Sequence, residues 1–227
     1  MIANKSVLAI VPARGGSKGL PNKNILPING KPLIHWTINS ATLSKYVDLC
    51  IVSTDNSAIA EIAKKSKAVV PFTRPKNISS DSATATDVVS HAINFFGDEY
   101  DIIIYLQPTS PLRTTADIDR SLELMIKNKS PVIVSFCKSD KPINWHYSID
   151  KNLLIEKVIG DNLVNKNRQD YENIYLPNGA IFISETDYFK KNNSFYTEDT
   201  LAYVMPKKRS IDIDDEIDFA LAELILK

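Results

Sequence analysis

The chain has 227 residues, 44% of them hydrophobic and 24% charged, enough for one sizeable α/β core and ordinary for a globular protein. Its 27 Lys and Arg balance 27 Asp and Glu, so the formal net charge is zero and no global basic field exists for nucleic acid or an anionic membrane. Any anion site must come from local clustering of cations. No apolar run reaches the roughly 18 residues of a membrane span. Residues 1–5 lead into a strand without a signal-peptide pattern, which points to a cytoplasmic protein. Cys50 and Cys137 fall in predicted strands and read as small apolar thiols rather than a disulfide framework.

In chain order, apolar runs of strand length lie at residues 6–12, 47–53, 68–72, 101–106 and 131–136. Helix-like segments separate them at 31–45, 56–67, 84–97 and 115–128. Continuous apolar strands alternating with helices predict a doubly wound α/β fold, its mostly parallel sheet covered on both faces. Asp55 is positioned to cap the helix entered at Asn56, and Asp117 to favour the first turn of the later one. From 138 to 176 the pattern changes to short strand-like pieces, 145–149 and 153–158, with no joining helix. This region reads as an excursion within a single domain spanning 1–227. Regular order resumes with strands at 179–184 and 201–205 and a final helix from about Asp215.

Three loops carry candidate chemistry, and ligands of an open parallel sheet bind at the carboxyl ends of strands. The first is PARGGSKGLPNKN (12–24), after the first strand. Gly15 and Gly16 let the backbone approach an anion, and Arg14, Lys18 and Lys23 can neutralise a polyphosphate. The loop matches neither the Walker spacing nor Gly-x-Gly-x-x-Gly; the alternative is a solvated basic loop. The second is LQPTSPLR (106–113), where two prolines stiffen the chain, Gln107 can both donate and accept, and Arg113 could equally be surface charge. The third is SIDIDDEID (210–218). Alternation puts Asp212 and Asp214 on one face and Ile211 and Ile213 toward the core, and a carboxylate pair can hold Mg²⁺ together with substrate phosphates. The alternative, helix capping, suits Asp215 and Glu216 best. His35, His91 and His146 lack metal-ligand spacing and read as structural or surface groups; Phe95 and Phe96 read as helix core. Asn178–Gly179 could be a turn before a strand or a polar ligand contact.

Together with IVSTD (51–55), RPKNISSDSA (74–83) and PNGAIFI (177–183), these loops resemble the CMP-sialic acid synthetases, cytidylyltransferases that activate sialic and related nonulosonic acids. The matching pieces span nearly the whole chain. The resemblance implies a nucleotide-diphospho-sugar transferase-like fold and reaction of CTP with a nonulosonic acid to give the CMP-sugar and pyrophosphate. It puts Arg14, Lys23 and Asn24, with Gly15, Gly16 and Ser17, around the triphosphate, and Arg74, Ala83 and Gln107 around nucleotide or acceptor. Asp212 and Asp214 match the Mg²⁺ acids, and Asp212 would also position or deprotonate the attacking hydroxyl. Arg168 and Asn178 match sugar-side positions, while Phe182, Phe195 and Tyr196 would line a pocket for an acyl group. A homodimer packed through the 138–176 excursion is implied as well, with no nucleic acid and no membrane as partner. Asn144 stands where neuraminate enzymes of this family carry a lysine, so N-acetylneuraminate, legionaminate and other nonulosonates stay open, and ketodeoxyoctonate is disfavoured.

Overall fold

The computed structural model describes residues 1–16, 19–159 and 171–227. Its centre is a six-stranded sheet in the order β10-β6-β9-β5-β1-β4, built from β1 (Val7–Pro12), β4 (Leu49–Ser53), β5 (Ile102–Tyr105), β6 (Val132–Lys138), β9 (Tyr175–Glu185) and β10 (Thr200–Met205). β1 pairs in parallel with both β4 and β5, and β10 in parallel with β6. β9 runs antiparallel between β5 and β6. The sheet is thus mostly parallel, as its apolar runs predict.

Alternation along these strands supplies two cores. Val7, Ala9, Val11, Ile102 and Ile104 pack on one face with Ile34 and Ile38 of α1 (Leu33–Thr42), Ile59 of α2 (Ser57–Lys65) and Ile118 and Leu122 of α4 (Thr115–Asn128). Leu8, Ile10, Ile103 and Tyr105 pack on the other with Val88, Val89 and Ile93 of α3 (Ala85–Phe96) and Phe189 of α5 (Thr186–Asn192). This two-sided burial is why the strands read as unbroken apolar runs. A third cluster joins Leu33, Leu112 and Ile213 to Ala222 of α6 (Glu216–Leu226), beneath the acidic loop.

Local chemistry sets the boundaries. Thr84 with Asp87, Thr114 with Asp117, and Asp215 with Asp218 each close a capping box, starting α3, α4 and α6. The cap of α2 is Asn56, whose side chain accepts from the Ile59 amide, and not Asp55. Two other expectations change. Residues 68–72 form no strand of their own but only the isolated parallel bridge Ile51–Val69, and the start of the predicted 31–45 helix is instead the small hairpin of β2 (Pro27–Ile28) and β3 (Lys31–Pro32). In α3, Phe96 is partly buried, but Phe95 is exposed against the ring of Phe72 rather than in the core.

The excursion contains a hairpin, β7 (Tyr147–Ile149) with β8 (Ile155–Lys157), outside the main sheet. Trp145, Ile149, Leu153, Leu154 and Ile155 are exposed along it. Cys50 and Cys137 are both free, the first buried and the second half-buried. No helix among the described residues is long and apolar enough to cross a membrane.

Candidate active site

The chain leaves β1 to build the edge strand β4, then returns to place β5 on the other side of β1. Outside the carboxyl ends of β1 and β5 the connections diverge, which opens a crevice. A cleft of about 560 Å³ lies there, lined among others by Arg14, Lys23, Asn24, Arg74, Ala83, Gln107, Asp212 and Asp214. The three loops singled out by sequence therefore meet at one place.

Each wall has its own support. Asn24 is buried and its amide donates to the Arg14 carbonyl at 3.1 Å, tying the glycine loop to the short 3₁₀ turn Lys23–Ile25. Lys23 donates to the Ile213 carbonyl and lies 3.3 Å from Asp214. Arg14 pairs with Asp81 across the cleft at 2.7 Å. Arg14 and Lys23 thus meet carboxylates of the protein, and an anion entering the cleft would compete with them. The Gly15 amide differs from the expected free donor: it donates to Asp55 at 2.9 Å, and a Cβ on Gly15 would stand 2.7 Å from the side-chain Nδ2 of Asn56. Gly16 has open space around it. Ser17, Lys18 and Arg168 lie outside the described residues.

The acidic loop keeps the alternation read from sequence without being a strand. Ile211 and Ile213 pack into the third cluster, while Asp212 and Asp214 face the cleft. The Ile213 amide donates to the Thr109 carbonyl at 2.8 Å, joining this loop to LQPTSPLR. Asp212 is held above the ordinary carboxylate range, chiefly by burial; the Thr109 hydrogen bond opposes this, Asp214 adds to it, Lys23 opposes and Asp218 adds. Its Oδ1 is buried without a hydrogen-bond partner. An unpaired buried carboxylate oxygen beside a second carboxylate is the donor chemistry a hard divalent cation takes, with substrate oxygens completing the shell. Among the described residues, no group of three or more His, Cys, Asp or Glu side chains forms a closed metal cage.

Three features were not read from the sequence. Arg113 is buried rather than surface charge, and it donates to the carbonyls of Gln107 at 3.2 Å and Ala180 at 2.7 Å. Burial pulls its pKa down, and Asp117, Cys50 and Asp212 pull it back. Gly179 has φ +71, and a Cβ there would lie 2.5 Å from Gln107 Oε1 and 3.0 Å from Asp212 Oδ2. Arg74 is buried with Nε and Nη2 unpaired on the cleft wall.

The sugar-side residues are more dispersed. Phe182 and Phe195 are buried in the second core, their rings 5.9 and 6.4 Å from Tyr105, which does line the cleft. Tyr196 is exposed, 6.3 Å from Phe182. Asn144 sits in the 3₁₀ turn Ile143–Trp145 of the excursion. Asn178 is neither in a turn nor on the cleft lining; it is a buried residue inside β9, where the pairing with β6 shifts register.

A family model described as cytidylyltransferase matches residues 8–215. The N-acylneuraminate cytidylyltransferase of Escherichia coli O18:K1:H7 is 36% identical over 95% of this chain and 51% of its own length, so the chain spans about half of that relative. The CMP-N,N'-diacetyllegionaminic acid synthase of Legionella pneumophila is 36% identical over 97% of this chain and 96% of its own length. Among solved structures, a CMP:2-keto-3-deoxy-manno-octonic acid synthetase complexed with CTP superposes with a TM-score of 0.71, covering 97% of this chain and 98% of that one at 17% identity, a likeness of fold.

Proposed function

The chain belongs to the cytidylyltransferase family, and from that premise we propose that it transfers CMP from CTP to the anomeric hydroxyl of a nonulosonic acid, releasing pyrophosphate. The observation that carries this reading is the convergence of Arg14, Lys23, Asn24, Gln107, Asp212 and Asp214 on one cleft at the carboxyl ends of β1 and β5.

In the reaction, the anomeric oxygen forms a bond to the α-phosphorus while the α–β phosphoanhydride bond breaks and pyrophosphate departs with its electron pair. Arg14 and Lys23 hold the phosphates and counter the charge that builds on their oxygens. Arg74, buried with two unpaired guanidinium nitrogens on the wall, and Ala83, too small to block it, take the nucleoside end. Gln107 orients the acceptor. Asp212, whose burial raises its affinity for a proton, takes or relays the hydroxyl proton. Asp212 and Asp214 would hold a divalent cation, Mg²⁺, which supplies positive charge to the phosphate oxygens when bound.

The relatives' names point to a nine-carbon acylamino keto acid, N-acylneuraminate in one and diacetyllegionaminate in the other, so the acceptor proposed here is of that class. The ring cluster of Tyr105, Phe182, Phe195 and Tyr196 supports an apolar end for an acyl group. A homodimer through the excursion is part of the same proposal, supported by its exposed Trp145, Ile149, Leu153, Leu154 and Ile155. Use of CTP fits a cytoplasmic location. The test is pyrophosphate release from CTP and Mg²⁺ across N-acetylneuraminate, diacetyllegionaminate, ketodeoxyoctonate and hexose 1-phosphates. Release with a nonulosonate is expected; release with a hexose 1-phosphate and no keto acid would overturn the assignment.

A further inference from the structure

We propose that Asn178 is a positioning residue for the acidic loop, acting through Ser210, and does not touch the acceptor. This rests on the transferase reading of the cleft and deepens it.

A side-chain amide accepts at its oxygen and has two N–H groups to donate. In Asn178 the whole of that capacity is used inside the protein. Its Oδ1 accepts from Ser135 Oγ at 2.6 Å and from the Ala180 amide at 3.2 Å. Its Nδ2 donates to Ser210 Oγ at 2.9 Å and to Met205 Sδ at 3.3 Å. The residue is 7% exposed, so a bond to substrate would have to replace one of these and uncover a buried polar group.

The partners belong to different parts of the chain. Ser135 is on β6 at the register shift, Ala180 follows on β9, and Ser210 ends the turn after β10. Ser135 Oγ also accepts from the Ile181 amide at 2.8 Å, which holds the bulged β9 in place. Ser210 Oγ donates to the Pro206 carbonyl at 3.0 Å, closing its own turn. The Asn178 amide therefore ties a closed turn to a fixed bulge, two residues before Asp212. From the other side the loop is held by the Ile213 amide, which donates to the Thr109 carbonyl at 2.8 Å, and Asp212 Oδ1 has no hydrogen-bond partner. The tether to Ser210 thus limits where the carboxylate can sit. The next residue, Gly179, brings the same bulge directly beneath Asp212 Oδ2 and Gln107 Oε1. Both groups lie close against the same bulge.

Ser210→Ala removes the acceptor with little change of shape, and Ser210→Thr keeps the hydroxyl; Asn178→Ala is the harsher companion. The direct readout is Mn²⁺ binding in the presence of CTP, measured by loss of the free-ion paramagnetic resonance signal. Steady-state kinetics with N-acetylneuraminate and CTP accompany it. A displacement on the order of 1 Å is costly at a reacting centre, so Ser210→Ala should weaken Mn²⁺ binding about fivefold and lower kcat about tenfold with the acceptor KM within about twofold. Ser210→Thr should recover both. Asn178→Ala should follow the same pattern if it folds. Native Mn²⁺ binding in folded Ser210→Ala, or a raised acceptor KM in Asn178→Ala with metal binding intact, would overturn the positioning role and leave the transferase reading standing. Wild-type protein that neither binds Mn²⁺ with CTP nor releases pyrophosphate would overturn both.

Discussion

Replacing Asp212 by Asn separates a reactive carboxylate from a structural one, because the two roles predict opposite signs in stability. The folded protein holds this carboxyl above its ordinary pKa, mainly through burial, so the ionised form is disfavoured by folding at neutral pH. Its Oδ1 has no partner to lose. A neutral amide of the same shape should leave the fold as stable or more stable, by on the order of 1 kcal/mol. The rate should move the other way. Loss of one electrostatic contact to the reacting phosphate costs about 3 kcal/mol, or roughly a hundredfold in kcat. Asp214 makes the contrast: its side chain is 81% exposed and pairs with Lys23 at 3.3 Å, so Asp214→Asn should barely shift the melting temperature. It should still raise the Mg²⁺ concentration needed for half-maximal rate. Thermal melts beside rate-versus-Mg²⁺ curves for both variants provide the assay. An Asp212→Asn protein that melts several degrees lower, yet keeps near-native rate and Mg²⁺ dependence per folded molecule, would refute the reasoning.

Arg14→Ala should weaken CTP binding by about tenfold or more, whereas Lys127→Ala on the exposed face of α4 should leave it unchanged; titration calorimetry compares them. Asp81→Asn frees Arg14 from its ion pair and should tighten CTP binding, most visibly at low salt; weaker binding would mean that Asp81 supports the loop instead of competing with the nucleotide. Gly179→Ala meets Gln107 Oε1 at 2.5 Å in a left-handed backbone, so it should lower the melting temperature and depress turnover together, with the Gln107 side chain displaced in a crystal structure of the variant. Buried Asp117 is raised by burial but more than compensated by hydrogen bonds from Arg209 and Thr114, so its folded pKa lies below the unfolded one. Its contribution is complete above the unfolded value, about 3.9, and is lost as pH falls through the folded one. Urea melts in that acid window should show the loss. Arg209→Ala should cost about 3 kcal/mol near neutral pH by removing the charge partner of the buried carboxylate, which keeps only its bonds from Thr114 and Tyr203, and should shrink that acid sensitivity.

What could be read from the sequence, and what could not, divides along a physical line. Strands buried on both faces need apolar side chains at every position, so 6–12 and 101–106 announced themselves, and the loops at their carboxyl ends could be assigned to the ligand side from topology alone. The alternation at 211–214 was legible for a similar reason: two isoleucines needed a core, and their neighbours had to point away from it. Direction and depth carry no such signature. Nothing local distinguishes β9 as the antiparallel strand of the six-stranded sheet, and residues 68–72 have strand composition while making only a single bridge in their span. Burial of polar groups is harder still, since it depends on partners far away in the chain. Arg113 follows a proline-stiffened loop in a way that suits a surface cation, yet it lies inside because Ala180, 67 residues on, offers it a carbonyl. Asn178 beside Gly179 read equally well as a turn before a strand or a ligand contact, because nothing local shows which partners its amide has. Its partners Ser135 and Ser210 lie 43 and 32 residues away, and only the fold brings them to it. The same reasoning explains why the charge logic of the cleft was half visible. Arg14 and Lys23 cluster in sequence, whereas the carboxylates that oppose them, Asp81 and Asp214, come from two other loops. On the proposed reading the cleft must remain stable without its polyanion, and acids recruited from elsewhere in the chain meet that requirement by pairing with Arg14 and Lys23.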